Sequence, residues 1–302
     1  MKNKLPNFLI VGAAKSGTSS LHQYLIQHPD VFMPDINKEG RSVKEPQFLV
    51  KDKVKNRLHF GVWNWEEYVS LFNDVKNEKC IGEASVFYLY FYREAIKNIK
   101  SFIGTDVKII IVLRDPIERA YSAFNHVSKS AKENLSFEES LIKEGCRLMN
   151  DETLTPMVMY KSMGLYYNMV KAYKENFKDV HIVLYDDFSI DSRNELNRIF
   201  RFLDVNKYDN INLDTQHNVG GRIWKNKVLK RLFLGKNRFK SFLINITPVF
   251  IMKSIKLKLV NLSKNKVKPI KDQTREELQS FFKDDINKLS ELINKNLTHW
   301  AK

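Results

Sequence analysis

Acidic residues are absent from residue 215 to residue 271, a stretch that carries fifteen lysines and arginines. The formal net charge of the whole chain is +15, so this segment holds the entire excess and the remainder balances. Such a segment draws anions: nucleotide, acidic glycan, anionic lipid or nucleic acid. Cysteine is nearly missing too. Cys80 and Cys146 are the only two, which excludes a disulfide framework or a cysteine-based metal site and favours free thiols in a reducing compartment. No apolar run approaches the roughly 18 residues that a spanning helix needs; the best, 242–252, is interrupted by Pro248. The short apolar run after Lys2 and Lys4 stops at Lys15 without a convincing cleavage site, so a secretory signal is not expected. These absences predict a cytoplasmic protein, at most peripheral at the inner membrane face. Internal repeats and low-complexity linkers are lacking as well.

What is present is the composition of a globular chain, 43% hydrophobic and 12% aromatic in 302 residues. Apolar runs at 8–11, 79–84, 107–113 and 180–185 read as strands, the third β-branched and near-continuous like a central strand of a parallel sheet. Helical patterns begin near Thr18 and cover 87–99, 118–126, 166–176, 195–203 and 274–292. In the last of these, Leu278, Phe281, Phe282, Ile286 and Leu289 share one face. Asp115 is placed to cap its helix, with Pro116 as the first helical residue. Strands alternating with helices predict an α/β, P-loop-like three-layer fold with a central parallel sheet flanked by helices. We expect a single domain over 1–302, with a basic, helical subregion at about 215–271. Ligands of such sheets sit beyond the carboxyl ends of the strands, where Lys15 and Arg114 fall.

The stretch 8–25 is the most informative: strand, small-residue turn, then helix. It aims backbone N–H groups and the positive end of a helix dipole at one point, which makes an anion site. A nucleotide-hydrolysing P-loop has its lysine directly after the second glycine. Gly12 and Gly17 keep that spacing, but Thr18 follows Gly17 and the lysine is Lys15, inside the turn. The pattern therefore points to phosphate binding without ordinary ATP or GTP hydrolysis. A second anion element is Arg114-Asp-Pro-Ile-Glu-Arg-Ala-Tyr-Ser122, whose guanidinium and hydroxyl can converge on one phosphate.

Together these elements resemble the sulfotransferases that use 3′-phosphoadenosine 5′-phosphosulfate (PAPS). Lys15-Ser16-Gly17-Thr18-Ser19-Ser20 is similar to that family's loop for the 5′-phosphosulfate, and Arg114 with Ser122 to its 3′-phosphate site. Lys44-Glu-Pro-Gln-Phe48 looks like the Lys-Glu-Pro-His-Phe segment of the glycan-modifying branch, close to the heparan sulfate enzymes. Gly164 with Tyr166, Val183-Leu-Tyr-Asp-Asp-Phe188 and the closing Leu297-Thr-His-Trp300 extend the likeness along the chain. The chain departs from the branch at Glu83-Ala-Ser-Val86, where a lysine is missing, and Arg222 only approximates the adenylate loop.

The resemblance implies PAPS as co-substrate, no metal, and transfer of a sulfuryl group to a hydroxyl or amine of a carbohydrate-type acceptor. It implies Lys15 and Glu45 as catalytic residues, Glu45 as the base. The 15–20 loop, Arg114, Ser122 and Arg222 would bind the donor, and Lys44, Glu83 and Ser85 the acceptor. His126, four residues after Ser122, is a second candidate base. The expected partner is a glycan or glycolipid, with peripheral contact to anionic membrane through the basic segment and no nucleic acid. Two rivals stay open: a P-loop small-molecule kinase, and a non-catalytic protein that binds polyanions or membrane surfaces.

Overall fold

A computed structural model describes residues 4–36, 40, 42–129, 133–214, 222–224, 264–266 and 268–301. The subregion read as basic and helical at 215–271 lies outside the described residues, apart from its last few and the backbone of two short strands. Those strands, β6 (Arg222–Trp224) and β7 (Lys264–Lys266), pair antiparallel.

The main sheet contains β1 (Phe8–Gly12), β2 (Val31–Phe32), β3 (Cys80–Ala84), β4 (Lys108–Leu113) and β5 (Val180–Leu184), in the order β2-β3-β1-β4-β5. Every pairing is parallel. The helices are α1 (Thr18–Leu25), α2 (Lys51–Val54), α3 (Trp65–Ser70), α4 (Phe87–Tyr90), α5 (Tyr92–Phe102) and α6 (Pro116–Ser128). They continue with α7 (Phe137–Ile142), α8 (Glu144–Asn150), α9 (Tyr166–Asn176), α10 (Tyr185–Ile190), α11 (Ser192–Phe202) and α12 (Asp272–Ile293).

Side chains alternate across the sheet, as the pleat requires, and both faces are covered, which is why the strands read as unbroken apolar runs. Leu9, Val11, Ile109, Ile111 and Leu113 enter one core with Ile96 of α5, Ala120 of α6, Val170 of α9 and Phe282 of α12. Phe8, Ile10, Ile110, Val112 and Val183 enter the other with Leu21 of α1 and Ile199 of α11. The chain leaves central β1 toward β3 on one side and β4 on the other. The carboxyl ends of β1 and β4 are therefore neighbours at the point where the strand order reverses, the place where such sheets bind ligands.

Three local expectations are corrected. The aromatic helix at 87–99 is two helices broken at Phe91; the Tyr88 carbonyl is taken by the Tyr173 hydroxyl at 2.9 Å instead of extending the helix. The pattern at 180–185 ends as a strand at Leu184, and Tyr185 opens α10. On α12 Phe282 is fully buried while Phe281 is 44% exposed beneath the Lys161 ammonium. Successive helical residues point about 100° apart, and here that turn carries Phe281 off the face that buries Phe282.

The last turn, Thr298–Ala301, closes the structure against α10. Trp300 is buried and donates its indole N–H to Asp186 Oδ2 at 2.7 Å. Its ring meets Tyr166 edge-on at 6.4 Å. Trp300→Ala should therefore lower stability by about 3–5 kcal/mol, read as a fall in urea midpoint at unchanged slope. A loss under about 1 kcal/mol would contradict this packing role.

Candidate active site

The loop from β1 into α1 begins with the Ala13 N–H donating to Val112 O of β4 at 2.7 Å. Lys15 sits in the left-handed region at φ 69°, a conformation that costs an ordinary residue about 1 kcal/mol or more. Gly17, at φ 90°, is the N-cap of α1. A Cβ there would lie 2.9 Å from the Tyr185 ring, so only glycine lets the loop close onto α10. Gly17 offers no side chain to the helix, α1 has no side-chain cap and its first turn contains no acid. Its leading N–H groups and dipole end thus remain for an external anion. Ser16 Oγ is buried beside the Tyr166 hydroxyl without a partner of hydrogen-bond geometry.

Arg114 leaves the end of β4. Its Nη1 donates to the Lys15 carbonyl at 3.3 Å and its guanidinium lies over the Tyr185 ring, 4.8 Å from the centroid. The Arg114 carbonyl accepts from the Tyr166 hydroxyl at 3.0 Å. The Trp300–Tyr166 contact thus braces the backbone that presents this arginine. Asp115 caps α6, accepting from the N–H groups of Ile117 and Glu118, with Pro116 first in the helix. Ser122, His126 and Lys129 then follow at intervals of four and three, on one face of α6 and its C-cap.

Lys44 and Glu45 come from the loop before α2. Lys44 is buried, and its ammonium donates to Ser19 Oγ and Glu45 Oε1, both at 3.1 Å. Gln47 Nε2 donates to Glu45 Oε2 at 3.0 Å. Both carboxylate oxygens are therefore held, and Lys44 ties the base candidate directly to the first turn of α1.

These groups are coupled electrostatically. Burial lowers the pKa of Lys15 first, then the Lys129 charge; Glu45 opposes this, while Arg114 and Lys44 add to it. His126 falls to about 4 through burial, Lys15 and Lys129, with Glu45 again opposing. The residue is nonetheless exposed to solvent. Lys15 thus feels the charges of Lys129, Arg114 and Lys44 together with the Glu45 carboxylate, which Lys44 holds directly. Among the described residues no group of three or more His, Cys, Asp or Glu could hold a metal.

The structure brings Lys15, the 16–20 turn, Lys44, Glu45 and Arg114 to one place, with Ser122 half-buried on the adjoining helix. Of Arg222, only the backbone is among the described residues. Glu83 and Ser85, expected as acceptor contacts, are 1% and 0% exposed. Ser85 Oγ accepts from the Gln47 N–H and donates to Glu83 Oε2, so both side chains are engaged beneath the 45–48 loop. Lys129 was missed, although its spacing from Ser122 places it on the same face. Tyr185 was not among the site candidates either, although it falls within the Val183–Phe188 stretch that carries part of the resemblance.

A family model described as the sulfotransferase domain matches residues 5–219. The chain belongs to the sulfotransferase family. The crystal structure of a sulfotransferase from Alicyclobacillus acidocaldarius superposes with a TM-score of 0.72 at 28% identity, covering 99% of this chain and 100% of that one. The membrane-associated sulfotransferase kil1 of Dictyostelium discoideum is 31% identical over 132 residues, 44% of this chain and 25% of that protein. The human bifunctional heparan sulfate N-deacetylase/N-sulfotransferase 3 is 27% identical over 124 residues, 41% of this chain and 13% of its own length. The chain thus spans a quarter or less of either curated relative.

His22, behind Lys44, supplies a test of the local electrostatics. It is fully buried, its Nε2–H donates to Pro34 O at 2.9 Å, and burial followed by the Lys44 charge lowers its pKa to about 4. The unfolded chain takes up this proton below about 6.5, so the stabilisation is complete above that pH and is lost as pH falls toward 4. Unfolding titrations should show a His22→Gln variant with a flatter acid slope, the difference being on the order of 3 kcal/mol. Parallel slopes in the two proteins would contradict the assignment.

Proposed function

We propose that this sulfotransferase moves a sulfuryl group from PAPS to a hydroxyl or amine of a carbohydrate-type acceptor. The observation that carries the reading is the uncapped start of α1 joined to Arg114 through the Lys15 carbonyl, two anion elements on adjacent strand ends. A donor with phosphates at both ends of one nucleoside suits that pair, and the excess of cations over the single carboxylate suits its charge. The glycan branch of the likeness supports a sugar acceptor, since the human relative's name includes heparan sulfate.

When bound, the donor supplies an already activated sulfuryl group. The chain's own groups do the rest. The N–H groups of Gly17 to Ser20 and the Lys15 ammonium hold the 5′-phosphate and stabilise the charge left on its bridging oxygen as the S–O bond breaks. Arg114, Ser122 and Arg222 hold the 3′-phosphate. Glu45 accepts the proton of the acceptor hydroxyl as that oxygen bonds to sulfur. Lys44 and Gln47 fix both its oxygens, and Lys44 keeps base and donor loop in register through Ser19. Positioning and charge, not covalent chemistry, provide the rate, by analogy with in-line phosphoryl transfer. The basic segment at 215–271 is assigned to anionic surfaces, acceptor or membrane, from its composition; kil1 is by name membrane-associated.

Thermal unfolding with added nucleotide tests the donor. The desulfated product PAP should raise Tm more than ADP or ATP at equal concentration. Equal or greater stabilisation by ATP would favour the kinase reading instead. Transfer of labelled sulfate tests the residues: Lys15→Ala and Glu45→Gln should each lose at least about a hundredfold in rate, and His126→Ala much less. Near-normal turnover by Glu45→Gln with a dead His126→Ala would move the base to His126.

A further inference from the structure

Beneath the site lies a buried carboxyl that the proposed mechanism does not use. Glu83, on β3, is 1% exposed and surrounded by hydroxyls. Tyr68 of α3 donates to its Oε1 at 3.3 Å and Ser85 to its Oε2 at 2.8 Å, and Tyr88 of α4 shares a further hydrogen bond with it. Two of those hydroxyls also accept from the base loop: Ser85 Oγ from the Gln47 N–H at 2.9 Å, and the Tyr88 oxygen from the Leu49 N–H at 3.2 Å. An ionised carboxylate can only accept. It therefore commits Ser85 and Tyr88 to donate inward, which leaves their lone pairs facing the two backbone N–H groups. Gln47 is 2% exposed and held in the left-handed region at φ 56°, so the loop needs such anchoring. Its side chain passes the constraint on to Glu45 Oε2.

We propose that Glu83 is a positioning residue: through Ser85 and Tyr88 it fixes the backbone of Gln47 and Leu49, and through the Gln47 amide it aims the Glu45 carboxylate. The role rests on the reading of Glu45 as the base. It also explains why these residues are buried in a place where the sequence suggested acceptor contacts. Burial raises the pKa of Glu83 to about 7, the three hydroxyls oppose this, and the Glu45 charge raises it further. Tyr173 of α9 is the remaining titratable group facing it. The carboxyl thus changes state near neutrality, which makes the relay observable.

The test is amide NMR on labelled full-length protein, with pH varied across neutrality. The Gln47 and Leu49 amides should titrate together with a midpoint near 7, and Glu83→Gln should abolish both responses. In Ser85→Ala the Gln47 amide should stop responding while Leu49, served by Tyr88, continues. The same Ser85→Ala protein should lose about tenfold to a hundredfold in kcat with an unchanged KM for the donor. A Gln47 amide that still titrates in Ser85→Ala, or an unchanged kcat in that protein, overturns the positioning role. If Glu83→Gln does not fold, the Ser85→Ala comparison decides alone. Failure of PAP to bind wild-type protein overturns the donor reading instead, and the amide titration keeps the two failures apart.

Discussion

Positive charge gathered at the carboxyl ends of two neighbouring strands is the constraint around which this protein is built. Lys44, Arg114 and Lys129 all act on Lys15 at the carboxyl ends of β1 and β4, and the Glu45 carboxylate opposes them. The first turn of α1 adds its dipole and uncapped N–H groups. Bringing like charges close together raises their free energy, so the fold must force the arrangement. It does so from below. A parallel sheet buried on both faces fixes the two strand ends, Gly17 lets the loop lie against Tyr185, and Tyr185 in turn lies under the Arg114 guanidinium. The site is thus poised for an anion before any arrives, which is the preorganisation that charge-stabilised transfer requires.

The support extends far along the chain. Trp300 packs on Tyr166, Tyr166 holds the Arg114 carbonyl, and Arg114 holds the Lys15 carbonyl. On the opposite side, Glu83 and its hydroxyls hold Gln47, which holds Glu45. Lys44 joins the two halves by bridging Ser19 and Glu45. The 13–20 loop and Glu45 therefore form one hydrogen-bonded unit assembled from β1, β3, β4 and the segments that follow them.

Much of this was legible in the sequence because it depends on local rules. The apolar runs of β1 and β4 and the Asp115-Pro116 start of α6 stand where periodicity and capping chemistry put them. So does α9, which spans the expected 166–176. The displaced lysine of the 12–18 turn carried the functional reading. What escaped depends on tertiary contacts. The break between α4 and α5 follows from a hydroxyl on α9, and the choice of Phe282 over Phe281 from which ring the core could admit. Glu83 and Ser85 stood as acceptor contacts by resemblance; that both are buried is a tertiary fact which no local pattern carries. Lys129 needed the helix to be in view, since its spacing means nothing until Ser122 is known to face the site.

The central claim is that two separate anion elements on neighbouring strand ends hold the two phosphate ends of one nucleotide. A crystal structure with PAP tests it most directly. The account predicts the 5′-phosphate at the amides of residues 17–20 beside Lys15, and the 3′-phosphate at Arg114 and Ser122. A 5′-phosphate bound away from the α1 terminus, or a 3′-phosphate that leaves Arg114 untouched, would contradict it.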